Sequence, residues 1–192
     1  MRIEILLFDG YDELDAFGPY DVLGVEGFEV ALTAVDGPRT VTSGKGIVVL
    51  AEAPSTADGV LVPGGGWLDL GPHGVRAEIA RGALPAHLAA VAASGGWVAS
   101  VCTGALLLGA AGLLEGHDAT TNTNALRDLE PFAGRVLNER VVDSGGVITA
   151  NGPSAGIDLA LHLIERFVGA PAASARATAI DHRRGGSVYY GR

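Results

Sequence analysis

The chain has 192 residues, a net charge of −9 and one cysteine. That length reads as one domain, at roughly 100–200 residues per domain. The single cysteine excludes a disulfide framework and a multi-cysteine metal cluster, and the acidic balance (22 Asp+Glu against 13 Lys+Arg) argues against a nucleic-acid binder.

Ile3–Phe8 is a continuous apolar run ended by Asp9-Gly10, as a buried strand would be. Leu14–Val25 has apolar residues at helical spacing, with the helix proper expected near Pro19, because proline fits a first turn. Phe28–Val35 alternates as a strand, Lys45–Leu50 is a short β run, and Gly59–Val62 is a strand running into Pro63-Gly64-Gly65-Gly66. Leu84–Ala93 reads as a helix stopped by Gly95-Gly96, Trp97–Val101 as a strand, and Thr103–Leu114 as a helix. Ala119–Thr121 reads as β, Ala125–Leu129 as a short helix, and Val136–Leu137, Val141–Asp143 and Val147–Ala150 as short β segments. Ala155–Val168 is a helix with Ile157, Leu161, Ile164 and Val168 on one stripe, Pro171–Ile180 is a last helix, and Asp181–Arg192 is a tail.

Strands separated by helices predict an α/β fold, with a mostly parallel sheet and helices on both faces. Hairpins are expected near residues 28–50 and 136–150. The 29 glycines fall mainly at turns and strand ends, which argues against low complexity. The longest apolar stretch, Ala105–Leu114, is well short of the ~20 residues a membrane span needs. The sequence therefore predicts a cytoplasmic protein with neither a membrane nor a nucleic acid as partner.

In open α/β sheets, ligands bind outside the carboxyl ends of the strands. Asp9–Asp15, Gly64–Gly66, Cys102 and Asn151-Gly152 stand at such ends, and Gly65, Gly66, Asn151 and Gly152 are the substrate-binding candidates among them. Ser100-Val-Cys102-Thr103-Gly104 joins a buried strand to a helix, the layout of a nucleophile elbow. A thiol at a helix N-terminus meets free N–H groups and the positive dipole end, which favour thiolate. A lone cysteine is otherwise a small buried hydrophobe. The elbow favours the reactive reading, with the Thr103 N–H as an oxyanion donor. The Gly65 N–H is a second donor candidate, or Gly64–Gly66 is a plain turn.

Asp15 follows Leu14 and precedes an apolar segment, so it is expected to point inward as an acid or base. Beside a thiol, the two groups would share one proton. The histidines His73, His87, His117 and His182 are scattered. Asp158 and His162, at i and i+4, read as a structural pair. No metal-ligand spacing stands out.

Four blocks carry a resemblance: Leu14-Asp15-Ala-Phe-Gly18-Pro19, Val62-Pro63-Gly64-Gly65, Ser100-Val-Cys102-Thr103-Gly104, and Ser154-Ala-Gly156-Ile-Asp158-Leu-Ala-Leu-His162. Together, over about residues 3–168, the chain resembles the PfpI-like superfamily of class I glutamine-amidotransferase-like proteins, and within it the isonitrile hydratase branch. The resemblance implies a flavodoxin-like three-layer sandwich, a homodimer, and no metal or organic cofactor. It implies Cys102 as nucleophile, Asp15 as the hydratase acid, and Thr103 and Gly65 as lining the nucleophile pocket. It also implies a small electrophile as substrate, an isocyanide hydrated to an N-substituted formamide. One departure is visible. Members of that branch usually carry Thr-Thr-His-Trp after the elbow helix, and here the residues are Thr120-Thr121-Asn122-Thr123-Asn124.

Two other functions fit the resemblance. A redox or small-molecule sensor would use Cys102 as an oxidisable thiol. Regulators of this fold add a helix-turn-helix domain, for which residues 169–192 are too few. A glyoxalase- or amidase-like activity on another electrophile is the remaining alternative.

Overall fold

The computed structural model describes residues 1–192. Strand β1 (Arg2–Leu6) leads to helix α1 (Glu13–Val22) and strand β2 (Glu29–Thr33). A hairpin follows, β3 (Arg39–Thr42) and β4 (Val48–Ala51), and then strand β5 (Gly59–Val62). Helices α2 (Val75–Arg81) and α3 (Ala83–Ala93) precede strand β6 (Trp97–Val101). A 3-10 turn at Cys102–Gly104 opens helix α4 (Ala105–Ala110). Then come β7 (Asp118–Ala119), α5 (Leu126–Leu129), β8 (Arg135–Val136), β9 (Val141–Asp143) and β10 (Val147–Ala150). Helices α6 (Ala155–Phe167) and α7 (Ala170–Ala179) and strand β11 (Tyr189–Tyr190) complete the chain.

The main sheet has seven strands in the order β11-β9-β10-β6-β5-β1-β2. Every neighbouring pair in it is parallel except β9–β10. This is the α/β sandwich expected from the alternation of strands and helices. Strands β5 and β6 are buried at every residue, as strands covered on both faces must be. Helices α1, α6 and α7 pack as one layer, and α2, α3 and α4 as another. A cluster of 42 buried residues forms the hydrophobic core.

The elements differ from expectation in several places. Helix α1 starts at Glu13 rather than Pro19, because the Asp12 carboxylate caps it by accepting the Leu14 N–H at 3.0 Å. Pro19 is therefore inside the helix, where it packs against Gly156 of α6; a Cβ on Gly156 would stand 3.1 Å from Pro19 Cγ. The expected Thr103–Leu114 helix is shorter, since its regular part ends at Ala110. Helix α2 was not expected. It has only Val75 and Ile79 as an apolar pair, held by an Arg81–Glu78 ion pair at 2.9 Å. Strands β3 and β11 were not expected either, because each is completed by a partner rather than by its own pattern. Asp158 and His162 do not bond each other. Asp158 takes Arg140 and His182, while His162 faces Asp143 at 2.6 Å. Each has a partner from another element in reach, so the shared helix face does not decide the pairing.

The order of the sheet places the site. From β1 the chain passes to β2 on one side and later returns to β5 on the other. The loops after β1 and β5 thus part at a topological switch point, where open sheets bind ligands. Strand β6, ending at Cys102, lies beside β5.

Candidate active site

Cys102 sits at the carboxyl end of β6 with φ of 56°, in the left-handed region that side chains rarely adopt. Only a tightly packed surrounding holds a non-glycine residue there. Gly104 supplies part of that packing, because a Cβ at Gly104 would lie 2.5 Å from the Val62 carbonyl oxygen. The elbow is therefore pressed against the end of β5. Gly64 plays the matching part on the other side, where a Cβ would meet Thr103 Oγ1 at 2.5 Å and Asp15 Oδ2 at 3.0 Å.

Asp15 enters this space from the first turn of α1 and is fully buried. Its Oδ2 accepts the Gly64 N–H at 2.9 Å, while its Oδ1 is buried without a hydrogen-bond partner. Burial, reinforced by the Asp12 charge, raises its pKa to about 8, against the opposing pull of the Gly64 N–H and the Cys102 thiol. Asp15 is thus a neutral acid at pH 7. With Oδ2 occupied as an acceptor, Oδ1 is the atom left free to carry a proton.

The thiol is also neutral. Burial pushes Cys102 up to about 12, and the nearby Asp15 adds to the rise. The Asn122 amide and the Thr103 N–H act in the opposite direction without prevailing. This differs from the thiolate expected of an elbow cysteine, because burial outweighs the hydrogen bonds that favour the charged form. Burial raises both groups and so favours the neutral form of each.

The Thr103 N–H is directed at the sulfur, as expected for an anion-stabilising donor. The Gly65 N–H is not free for that task, since it donates to Thr103 Oγ1 at 3.1 Å. Gly65 thereby fixes the Thr103 hydroxyl and ties the β5 loop to the elbow. Gly65 and Gly66 line a cavity of about 640 Å³ beside this point. The cavity runs between the loops after β1 and β5 and the β3–β4 hairpin, and its polar lining includes Asp12, Glu13, Lys45 and His73. Asn151 and Gly152 lie at the end of β10, outside this cavity. Asn151 accepts from the Thr123 hydroxyl at 3.2 Å and donates to Asn138 at 3.2 Å, so it braces the loop before α5 rather than facing the thiol.

The residue that the sequence did not single out for the site is Asn122. Its Nδ2 donates to Cys102 Sγ at 3.3 Å. The neighbouring Thr121 hydroxyl donates to the Cys102 carbonyl at 2.8 Å, so the loop is fastened to Cys102 twice. The available signal was positional, since Asn122 stands where the resembling branch usually carries histidine. No group of three or more His, Cys, Asp or Glu side chains is gathered to hold a metal ion. No helix is long and apolar enough to cross a membrane.

Comparison with known proteins places this geometry in a family. The DJ-1/PfpI family model matches residues 1–166, and the chain belongs to that family. Isonitrile hydratase of Pseudomonas putida is 38% identical over 175 residues, covering 88% of this chain and 73% of that protein. The Parkinson disease protein 7 homolog of Danio rerio is 26% identical over 185 residues, covering 90% of this chain and 93% of that protein. Among solved structures, DJ-1beta of Drosophila melanogaster superposes with a TM-score of 0.84 at 22% identity, covering 95% of this chain and 98% of that one. This likeness shows the shared fold.

Proposed function

We propose that this member of the DJ-1/PfpI family is a cofactor-independent isonitrile hydratase, with Cys102 as nucleophile and Asp15 as acid and base. The observation that carries the reading is the buried, unpartnered Oδ1 of Asp15 in a site whose thiol is protonated. A neutral acid next to a neutral thiol suits a substrate whose terminal carbon must gain both a sulfur and a proton. The 38% identity to isonitrile hydratase supports the same choice.

The steps balance without any redox partner. Asp15 gives its Oδ1 proton to the terminal carbon of R–N≡C as the Cys102 sulfur forms the S–C bond. The thiol proton passes to the carboxyl, so the product is the thioimidate R–N=CH–S–Cys and Asp15 is again neutral. Asp15 then protonates the imine nitrogen, and water, losing a proton to the carboxylate, adds to the carbon. Collapse of R–NH–CH(OH)–S–Cys breaks the C–S bond. It releases the formamide R–NH–CHO and restores the thiol. The Thr103 N–H steadies the sulfur as it takes on charge in both directions.

A peroxide sensor is the weaker reading. It needs a thiolate at rest, and burial pushes the Cys102 pKa up to about 12. The hydratase would work in the cytoplasm, where a lone thiol stays reduced. It would act as a homodimer. Ile47, Val48 and Leu50 of the hairpin region are exposed apolar side chains that a second copy would cover. Formamide production from a panel of simple isocyanides tests the activity. Wild type is expected to turn over, and Cys102→Ala to fall to the uncatalysed background. A wild-type protein as inert as Cys102→Ala across the panel removes the hydratase reading.

A further inference from the structure

The side chains of Asn122 and Cys102 meet across a gap of 20 positions in the sequence. Asn122 is half-buried, while the two residues after it are exposed. Its amide orientation is settled by two contacts at once. Oδ1 accepts the Asn124 N–H at 3.0 Å and caps the 3-10 turn Thr123–Ala125, so Nδ2 is the end that faces the sulfur. The loop cannot swing away easily, since Thr121 bonds the Cys102 carbonyl and Asn151 holds Thr123. Asp118, at the start of this segment, is paired with Arg135 at 2.7 Å. An amide keeps its N–H at every pH in the working range. The acids Asp15 and Asp12 raise the proton affinity of the thiol, and the Asn122 amide and the Thr103 N–H oppose them.

We infer that Asn122 is a catalytic residue, whose side-chain N–H bonds the Cys102 sulfur while that sulfur bears charge. The inference rests on Cys102 reacting as a nucleophile, and is independent of which electrophile it meets. When the S–C bond forms, the sulfur proton leaves for the Asp15 carboxyl. When the thioimidate adduct collapses, the electron pair of the C–S bond returns to sulfur. At both moments the sulfur carries negative charge in a buried space beside a carboxyl group. The Asn122 and Thr103 N–H groups are the donors directed at it. A hydrogen bond to a charged group is stronger than one to a neutral thiol, so the Asn122 contact stabilises the charged sulfur more than the resting one.

The test separates this role from the capping role of the same residue and from the hydratase reading. The probe is iodoacetamide, whose alkylation of Cys102 is followed by intact mass from pH 7 to 10, beside the formamide assay. Asn122→Ala removes donor and cap. Asn122→Asp keeps the cap acceptor and removes the donor. Alkylation is expected to slow roughly ten- to hundredfold in Asn122→Ala, the factor for losing a hydrogen bond to a charged group. It should slow at least as much in Asn122→Asp, whose melting temperature stays at the wild-type value. If Asn122→Asp alkylates as fast as wild type, or if Asn122→Ala does, the side chain is only a cap and the inference is overturned. Because alkylation needs no isocyanide, absence of formamide with these slowed rates would sink the hydratase reading and leave Asn122 standing. Normal formamide turnover in Asn122→Asp would do the reverse.

Discussion

Two carboxylates in the first turn of α1 show opposite electrostatic fates. Glu13 faces the hairpin, where its carboxylate accepts the Lys45 backbone N–H at 2.7 Å, the Lys45 ammonium at 2.8 Å and the Ser43 hydroxyl. Burial alone would raise its pKa, but these partners overcome it and hold Glu13 at about 2. Asp15, two residues on, faces the elbow, has one N–H partner, and is raised to about 8. The helix dipole is common to both. What separates them is depth of burial, the Asp12 charge beside Asp15, and the donors each meets, so one turn of helix holds one carboxyl as an anion and pushes the other toward its neutral form.

The sharpest way to break this contrast is Asp15→Asn. It keeps the Gly64 contact through the amide oxygen but cannot transfer a proton. Formamide production is expected to fall about 10²–10⁴-fold, the range for removing a general acid–base. In wild type, kcat/KM should decline as pH rises through about 8, where Asp15 loses its proton. The stability of the protein carries the same signature with a defined sign. Between the ordinary value of 3.8 and about 8, the folded state keeps a proton that the unfolded chain releases. Unfolding therefore becomes easier as pH rises through that window, by on the order of a few kcal/mol. Melting temperatures of Asp15→Asn should lack this slope and exceed wild type at pH 8. A parallel slope in the variant would mean that another group is responsible.

Glu13→Gln tests the other arm. It should lower stability at pH 7 by about 1–3 kcal/mol, since hydrogen bonds to a charge are lost. The pH sense is reversed here. The Glu13 contribution is present above 4.5 and is lost as pH falls toward about 2. Denaturant melts at pH 7 and pH 3 should show the variant penalty shrinking with acid. The smallest effect belongs to Lys45→Met. Its side chain is 74% exposed, and its backbone N–H stays on Glu13 in the variant. A loss below about 1 kcal/mol is expected, as for exposed ion pairs. If Lys45→Met costs as much as Glu13→Gln, the ammonium, rather than the set of donors, holds Glu13 down.

The sequence displayed the scaffold well where burial is complete. Gly59–Val62 and Trp97–Val101 are unbroken apolar runs, and both are central parallel strands. The elbow was legible because a short run of small residues has to bridge strand and helix. Asp15 was legible as inward-pointing from its apolar neighbours. Strands β3 and β11 were not, since their partners lie elsewhere in the chain. Pro19 misled as a helix start because the Asp12 cap outweighed it.

By itself, then, the sequence determined the layered α/β scaffold, the place of the lone thiol and the acid that accompanies it. These follow from local patterns of apolar spacing and turn chemistry. Only the tertiary structure decided that the Gly65 N–H is spent on Thr103, that Asn122 reaches the sulfur, and that burial raises the proton affinity of both thiol and acid. Hydrogen-bond partners and proton affinities depend on which groups lie within a few ångströms and how much water is excluded. Residues far apart along the chain supply both.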